Sequence, residues 1–110
     1  MEKGQQWEMD LYERAVEVYG DKAQIIKAAE ELSELSAALN KLTISLIWGI
    51  GDRTELEEKM RGEWADVSVM LGQLHVIFGD NAEMEMEKLE ALEERLNIQK
   101  AVEEMNDRDG

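Results

Sequence analysis

Two short acidic motifs hold the residues of this chain with the clearest potential for chemistry. The first contains Glu31 and Glu34, and the second contains Glu63 and Asp66, so each motif places two carboxylates three residues apart. Residues with this spacing lie on the same side of an α-helix, so the two carboxylates of each pair should point in one direction. Oxygen ligands of this kind and number suit a hard divalent cation such as Mg²⁺ or Mn²⁺.

Apolar residues at helical spacing surround both motifs. The stripe around the first motif consists of Ile25, Ala28, Leu32, Leu35, Leu39, Leu42 and Leu46. The stripe around the second consists of Leu56, Met60, Val67, Met70, Leu71, Leu74, Ile77 and Phe78. At about 100° per residue, Glu31 should lie roughly 70° and Glu34 roughly 130° from the centre of the first stripe. Glu63 should fall inside the second stripe and Asp66 at its edge.

A carboxylate placed among core residues is costly unless a positive group meets it. Four converging carboxylates would also raise one another's pKa unless a cation bound them. The position of the two motifs therefore predicts a metal site between two adjacent helices, formed by Glu31, Glu34, Glu63 and Asp66. The alternative for these residues is ordinary helix-surface charge that pairs with lysines.

The elements that must position the motifs should all be helices. The chain has no proline, is rich in good helix formers, and has no run in which polar and apolar residues alternate. We expect helices over about residues 5–19, 22–46, 54–78 and 82–98. Gly20-Asp21 should end the first helix and offer an N-cap for the second, and a Thr54–Glu57 capping box should open the third.

Short connections between these helices predict an all-α, four-helix antiparallel bundle. At 110 residues the chain should be a single domain, with residues 1–4 and 103–110 frayed. The supply of apolar residues is thin for a monomer, so we expect a homo-oligomer, either a dimer or a tetramer.

The net charge of −14, from 26 acidic and 12 basic residues, argues against two classes of partner. Nucleic acids and anionic membranes both require a basic surface. The absence of cysteine excludes disulfides and thiolate ligands for metals. No segment has the length of a membrane span or the apolar core of a signal peptide, so we expect a soluble cytoplasmic protein.

The combined pattern resembles a known signature. Glu30-Glu31-x-x-Glu34, followed after 28 residues by Glu63-x-x-Asp66, is similar to the motif pair of MazG-type nucleoside triphosphate pyrophosphohydrolases. Trp64-Ala65-Asp66-Val67, a lysine at position 27 and basic residues in the last helix extend the resemblance, which covers roughly residues 7–96. This all-α superfamily also contains dimeric dUTPases and phosphoribosyl-ATP pyrophosphatases.

The resemblance implies hydrolysis of a nucleoside triphosphate, often a deoxy form, to the monophosphate and pyrophosphate. By that likeness the four motif carboxylates would hold Mg²⁺, and a water would attack the α-phosphorus. Glu30 matches the first motif position but should point outward, which leaves it a supporting role. Two alternatives remain: a dUTPase-like or phosphoribosyl-ATP relative, and a non-catalytic helical interaction module.

Basic residues are the candidates for phosphate contacts. Lys27 lies one turn before Glu31 and either reaches a phosphate or pairs with Glu31. The resemblance implies phosphate contacts for Lys88 and Arg95 in the last helix. For Lys88, a surface pair with Glu85 is the alternative.

Aromatic and amide side chains are the remaining candidates. Trp48 and Trp7 could stack on a base, although aromatic residues at helix ends more often make packing or oligomer contacts. Gln73 lies nearer the metal side of its helix and is a candidate for a hydrogen bond to a ligand. His75 should lie at the surface or at an interface.

Overall fold

The computed structural model describes residues 3–109 of the chain. Four helices account for nearly all of them: α1 (Gln5–Tyr19), α2 (Asp21–Trp48), α3 (Arg53–Phe78) and α4 (Ala82–Asp109). No strand occurs in this range, which confirms the all-helical prediction. Within the same residues, no helix is both long enough and apolar enough to cross a membrane. The predicted fraying of Met1, Glu2 and Gly110 lies outside the described residues.

A single glycine separates α1 from α2. Gly20 has a φ of 87°, and its N–H donates to the carbonyl of Val16 and thereby closes α1. The same residue is the N-cap of α2, with no side-chain cap. The prediction that Gly20-Asp21 ends the first helix and offers the N-cap of the second is confirmed for Gly20, whereas Asp21 is already the first residue of α2. Positive φ is a conformation that glycine adopts at little cost.

Asp52 is the N-cap of α3. Its Oδ1 accepts hydrogen bonds from the backbone N–H groups of Thr54, at 2.9 Å, and Glu55, at 3.3 Å. The predicted Thr54–Glu57 capping box is wrong, because α3 begins one residue earlier than the pattern indicated. Glu57 instead pairs with Arg53 at 3.1 Å.

The fourth helix is longer than the sequence pattern indicated. It begins at Ala82, whose N–H donates to the Asp80 carboxylate at 3.1 Å, and it continues to Asp109 rather than ending near Ile98. Residues 103–109, which were expected to fray, are therefore helical. Two compact units are present, one that contains α1, α2 and α3 and one that contains α4.

In the first unit, α2 and α3 form an antiparallel hairpin, and α1 packs against both. The antiparallel arrangement is shown by a hydrogen bond between Gln24, near the start of α2, and Gln73, near the end of α3. Against α3, the ring of Tyr12 from α1 lies where a side chain at position 72 would be. Gly72 is therefore a point of close approach between α1 and α3.

The buried face of α2 is rotated from the one that the apolar stripe predicted. Its buried residues are Gln24, Ala28, Glu31, Ala38 and Ser45. The larger side chains one position further on are exposed, from Ile25 at 38% to Leu46 at 54%. Small residues in the seam allow close approach of the two helices, and this close packing places Glu31 in the seam itself rather than at the edge of an apolar stripe. On α3, Val67 and Met70 are buried as predicted, whereas Leu71 and Phe78 are exposed.

Candidate metal centre

Three of the four predicted ligands come together in the seam between α2 and α3. Glu31 of α2 and Glu63 and Asp66 of α3 each offer a carboxylate oxygen, and these oxygens lie within 4.8 Å of one another. Opposite ligands of one octahedral Mg²⁺ lie about 4.2 Å apart, at twice its usual bond length. Adjacent ligands of the same ion lie closer, at about 3.0 Å, so the three oxygens must draw together to share a single small cation.

The register of the hairpin explains why these carboxylates meet. Gln24 and Gln73 are hydrogen-bonded across the seam and are both buried. Seven residues further along α2 lies Glu31, and seven residues back along α3 lies Asp66. Seven residues are close to two helical turns, so both side chains return to the seam at the same level.

This pairing also determines the role of Gln73. The side chain is 5% exposed, and its amide contacts Gln24 and the sulfur of Met70, at 3.6 Å. The predicted hydrogen bond from Gln73 to a ligand at the metal site is therefore wrong. The amide lies two turns from the carboxylates and is occupied within the core.

A lysine one turn earlier holds one oxygen of each glutamate in the seam. Lys27 Nζ lies 3.0 Å from Glu31 Oε1, and Lys59 Nζ lies 3.3 Å from Glu63 Oε1. Of the two alternatives for Lys27, the structure shows the pair with Glu31. Lys59 was not identified from the sequence. The signal was available, because Lys-x-x-x-Glu-x-x-acid occurs twice, once on α2 and once on α3.

The second oxygen of each glutamate has no partner. Oε2 of Glu31 and Oε2 of Glu63 are buried, and neither accepts a hydrogen bond from any described residue. The Glu31 side chain is only 9% exposed and that of Glu63 14%. A buried carboxylate oxygen without a partner is costly, and a bound cation removes that cost. Oxygen atoms alone are offered, which are the ligands of hard cations.

The electrostatics of the cluster show negative charge that the lysines do not balance. The negative charge of Glu31, followed by that of Glu63, raises the pKa of the exposed Glu34 above its ordinary value of 4.5. The pKa of the Lys27 ammonium group is raised as well, because its hydrogen bond to Glu31 and the charge of that carboxylate favour the protonated form. Glu34 therefore lies close enough to both glutamates to belong to the same acidic cluster. Glu30 is exposed, as expected.

The aromatic candidates for base stacking are Trp48 and Trp7, and Trp48 lies too far from the acidic cluster for that role. Trp48 is 73% exposed at the end of α2. It follows Glu34 by fourteen residues, which correspond to about 21 Å of helix. A base does not extend that far from its own phosphates, so Trp48 of the same chain does not stack on a nucleotide whose phosphates lie at this cluster. Trp7 is half exposed, with the ammonium group of Lys3 4.5 Å from the ring centroid.

The basic candidates of the last helix lie in the second unit. Lys88 and Arg95 are both exposed on α4, and their spacing of seven residues places them on one face of it. Among the described residues, neither forms a salt bridge. The alternative pair of Lys88 with Glu85 is therefore not formed, and a role in phosphate binding stays a prediction. His75 is exposed, as expected.

Comparison with known proteins identifies no relative. No protein-family model, curated protein or solved structure matches this chain. The functional assignment therefore depends on the two motifs and on the geometry in which Glu31, Glu63 and Asp66 meet.

Proposed function

We propose that this protein is a metal-dependent nucleoside triphosphate pyrophosphohydrolase of the MazG type, which cleaves a (d)NTP to the (d)NMP and pyrophosphate. The observation that supports it most strongly is the pair formed by the buried Glu31 and the partly buried Glu63 on adjacent helices, each with one buried oxygen that has no partner. A surface cluster that only solvates the protein would leave its carboxylates in water, and these two are not in water.

In this proposal Glu31, Glu63 and Asp66 hold Mg²⁺, or Mn²⁺ in its place. When bound, the ion would neutralise phosphate charge and favour attack at the α-phosphorus. Three carboxylates with oxygens within 4.8 Å of one another fit such an ion. Because their helices are packed along a seam, the ligands are held in place before the substrate arrives. Such preorganisation supplies most of the rate enhancement in phosphoryl transfer.

Glu34 has a different task in this mechanism. Its carboxylate is exposed yet lies close to Glu31 and Glu63, so it can meet a water molecule at the edge of the cluster. We assign it the acceptance of the proton from the attacking water. A carboxylate within reach of such a water is suited to accept its proton.

Positive side chains complete the site by binding the triphosphate. Lys27 is 53% exposed and uses one contact on Glu31, which leaves donors of its ammonium group free for a phosphate oxygen. A role for Lys88 and Arg95 of α4 in binding phosphate stays a prediction from the resemblance.

The test is release of pyrophosphate from a panel of nucleotides with Mg²⁺ present, including dUTP and phosphoribosyl-ATP to separate the related activities. We expect activity on at least one nucleotide and near-total loss in Glu63→Gln and Asp66→Asn. Glu58→Gln, which removes an exposed carboxylate of the same helix, should retain activity. No pyrophosphate from any nucleotide, or full activity in both site variants, would contradict the proposal.

We also propose that the chain forms a homo-oligomer through the exposed side of the α2–α3 hairpin. The exposed apolar residues recur every seven residues on both helices: Ile25, Leu32, Leu39 and Leu46 on α2, and Trp64, Leu71 and Phe78 on α3. Each of these residues directly follows one that faces the seam between α2 and α3. A step of one residue rotates about 100° around a helix, and in an antiparallel hairpin this rotation leads to the same side of both helices.

A second copy is the occupant that such a face fits. Two identical hairpins that meet through it about a two-fold axis bury both stripes at once, and exposed apolar surface of this extent marks an interaction site. We expect sedimentation to show a dimer or tetramer, and Leu39→Glu to shift it towards monomer. A wild-type chain that sediments only as a monomer contradicts this proposal and leaves the catalytic one standing.

A further inference from the structure

The two lysine–glutamate pairs share one arrangement. Lys27 and Glu31 on α2, and Lys59 and Glu63 on α3, have the same four-residue spacing. In both pairs the ammonium group contacts Oε1, and Oε2 is the atom without a partner. The two antiparallel helices thus present the same arrangement to the centre of the seam from opposite sides.

The lysines change how many oxygens the cluster offers. With Oε1 of each glutamate held by an ammonium group, Oε2 is the oxygen of Glu31 and of Glu63 that has no partner. Glu31, Glu63 and Asp66 each contribute one carboxylate oxygen to a group that lies within 4.8 Å. This set fits the shell of one ion. Two divalent ions about 3.5–4 Å apart require carboxylates that bridge them with both oxygens or a larger number of ligands.

The lysines also change the charge that the cluster presents. Glu31, Glu34, Glu63 and Asp66 carry four negative charges when ionised, and Lys27 and Lys59 return two positive charges. The remainder equals the charge of one divalent cation. A second cation would leave an excess of positive charge beside half-buried groups, where Coulomb repulsion is poorly screened.

We propose that Lys27 and Lys59 act as paired positioning residues that restrict the acidic cluster to one divalent cation. They act through the glutamates: each ammonium group occupies one oxygen and turns the other towards the shared ion. This inference rests on the proposed metal site and specifies its stoichiometry. Without the lysines, both oxygens of Glu31 and Glu63 become available and the cluster regains four negative charges.

The chain offers a matched control for the effect of removing a salt bridge. Arg53 and Glu57 form a pair on α3 with the same four-residue spacing, at 3.1 Å. Glu57 is 38% exposed and lies outside the cluster, so Arg53→Met removes a comparable contact without altering the site.

The experiment is a titration of the full chain with Mn²⁺, without nucleotide, in which free Mn²⁺ is measured by electron paramagnetic resonance. We expect one Mn²⁺ per chain for the wild type, for Arg53→Met and for the charge-conserving Lys27→Arg/Lys59→Arg variant. The Lys27→Met/Lys59→Met variant should bind two. Circular dichroism checks that each variant is folded. We expect all of them to fold, because the side chains of Lys27 and Lys59 are exposed.

The outcomes separate this inference from the proposed function. A wild type that binds no Mn²⁺ refutes the metal site and both proposals with it. A wild type that binds two ions, or a Lys27→Met/Lys59→Met variant that binds one or none, overturns the role of the lysines while the metal site itself stands.

Discussion

Gln24 and Gln73 share a buried hydrogen bond two helical turns from the level at which Glu31 meets Asp66. The amide pair is polar in a seam that otherwise consists largely of small and apolar residues. A slip of either helix would leave two buried amides without partners, which is costly. The pair therefore favours the register that assembles the acidic cluster.

The first prediction concerns this amide pair. Gln73→Leu should lower the free energy of unfolding by about 1–3 kcal/mol, because the buried amide of Gln24 loses its partner. The Gln24→Leu/Gln73→Leu variant should recover most of that stability, since no unpaired amide remains, yet bind Mn²⁺ more weakly because the register is less strictly specified. Urea unfolding and Mn²⁺ titration measure the two effects. Unchanged Mn²⁺ affinity in the double variant would show that the pair has no influence on the site.

The second prediction concerns pH in the absence of divalent cations. The pKa of Glu34 is raised in the folded protein by Glu31 and then Glu63, so the folded state holds this proton more tightly than the unfolded state. The contribution of Glu34 to stability should therefore fall as the pH rises from 4.5, the ordinary pKa of this carboxyl group, through its raised pKa in the folded protein. Glu34→Gln should flatten the dependence, and the exposed Glu58→Gln should not. Thermal unfolding across this range is the measurement; an unchanged slope in Glu34→Gln would argue against the repulsion.

The third prediction concerns two helical glycines of α3. Gly72→Ala should destabilise the protein by about 1–3 kcal/mol, since the new methyl group overlaps the ring of Tyr12. Gly62 has open space around its α-carbon, so Gly62→Ala should stabilise by about 0.5–1 kcal/mol through helix propensity. Opposite signs in chemical denaturation check the packing of α1 on α3. Equal effects would mean that Tyr12 does not lie there.

The fourth prediction concerns the start of α3. Asp52→Ala should cost about 1 kcal/mol, because two backbone N–H groups lose their acceptor. Thr54→Ala should cost less, since its side chain is not the cap. The two variants can be compared by thermal unfolding. A larger loss in Thr54→Ala would restore the capping box that the sequence pattern favoured.

Much of the fold follows from local sequence signals. Helix type and the positions of the first three helices could be predicted, because glycines separate long runs of helix formers. The N-cap of α3 could not be predicted, because Asp52 and Thr54 are both good cap residues and a small shift in the start of the helix decides between them. The end of α4 was missed because the acidic residues from Glu103 onward were expected to fray, although Ile98, Val102 and Met105 keep the apolar spacing of a helix.

The candidate site was predictable to a similar extent. The spacing of the motifs brought Glu31, Glu63 and Asp66 to one seam, and the structure places them there. The rotation of α2 was not predictable from apolar residues, because Leu32 and Leu39 favour a face that the single chain leaves exposed. Large side chains indicate what should be buried, but not whether another helix or another copy of the chain covers it.

The central claim is that the acidic cluster binds a divalent cation, and the thermal midpoint with increasing Mn²⁺ tests it most directly. A ligand at about 100 times its dissociation constant adds about 2.7 kcal/mol to the stability of the folded state. We predict a midpoint that rises with Mn²⁺ in the wild type and in Glu58→Gln, and that stays constant in Glu31→Gln/Glu63→Gln. A wild-type midpoint that does not change with Mn²⁺, or an equal rise in the variant that lacks both glutamates, would contradict the account.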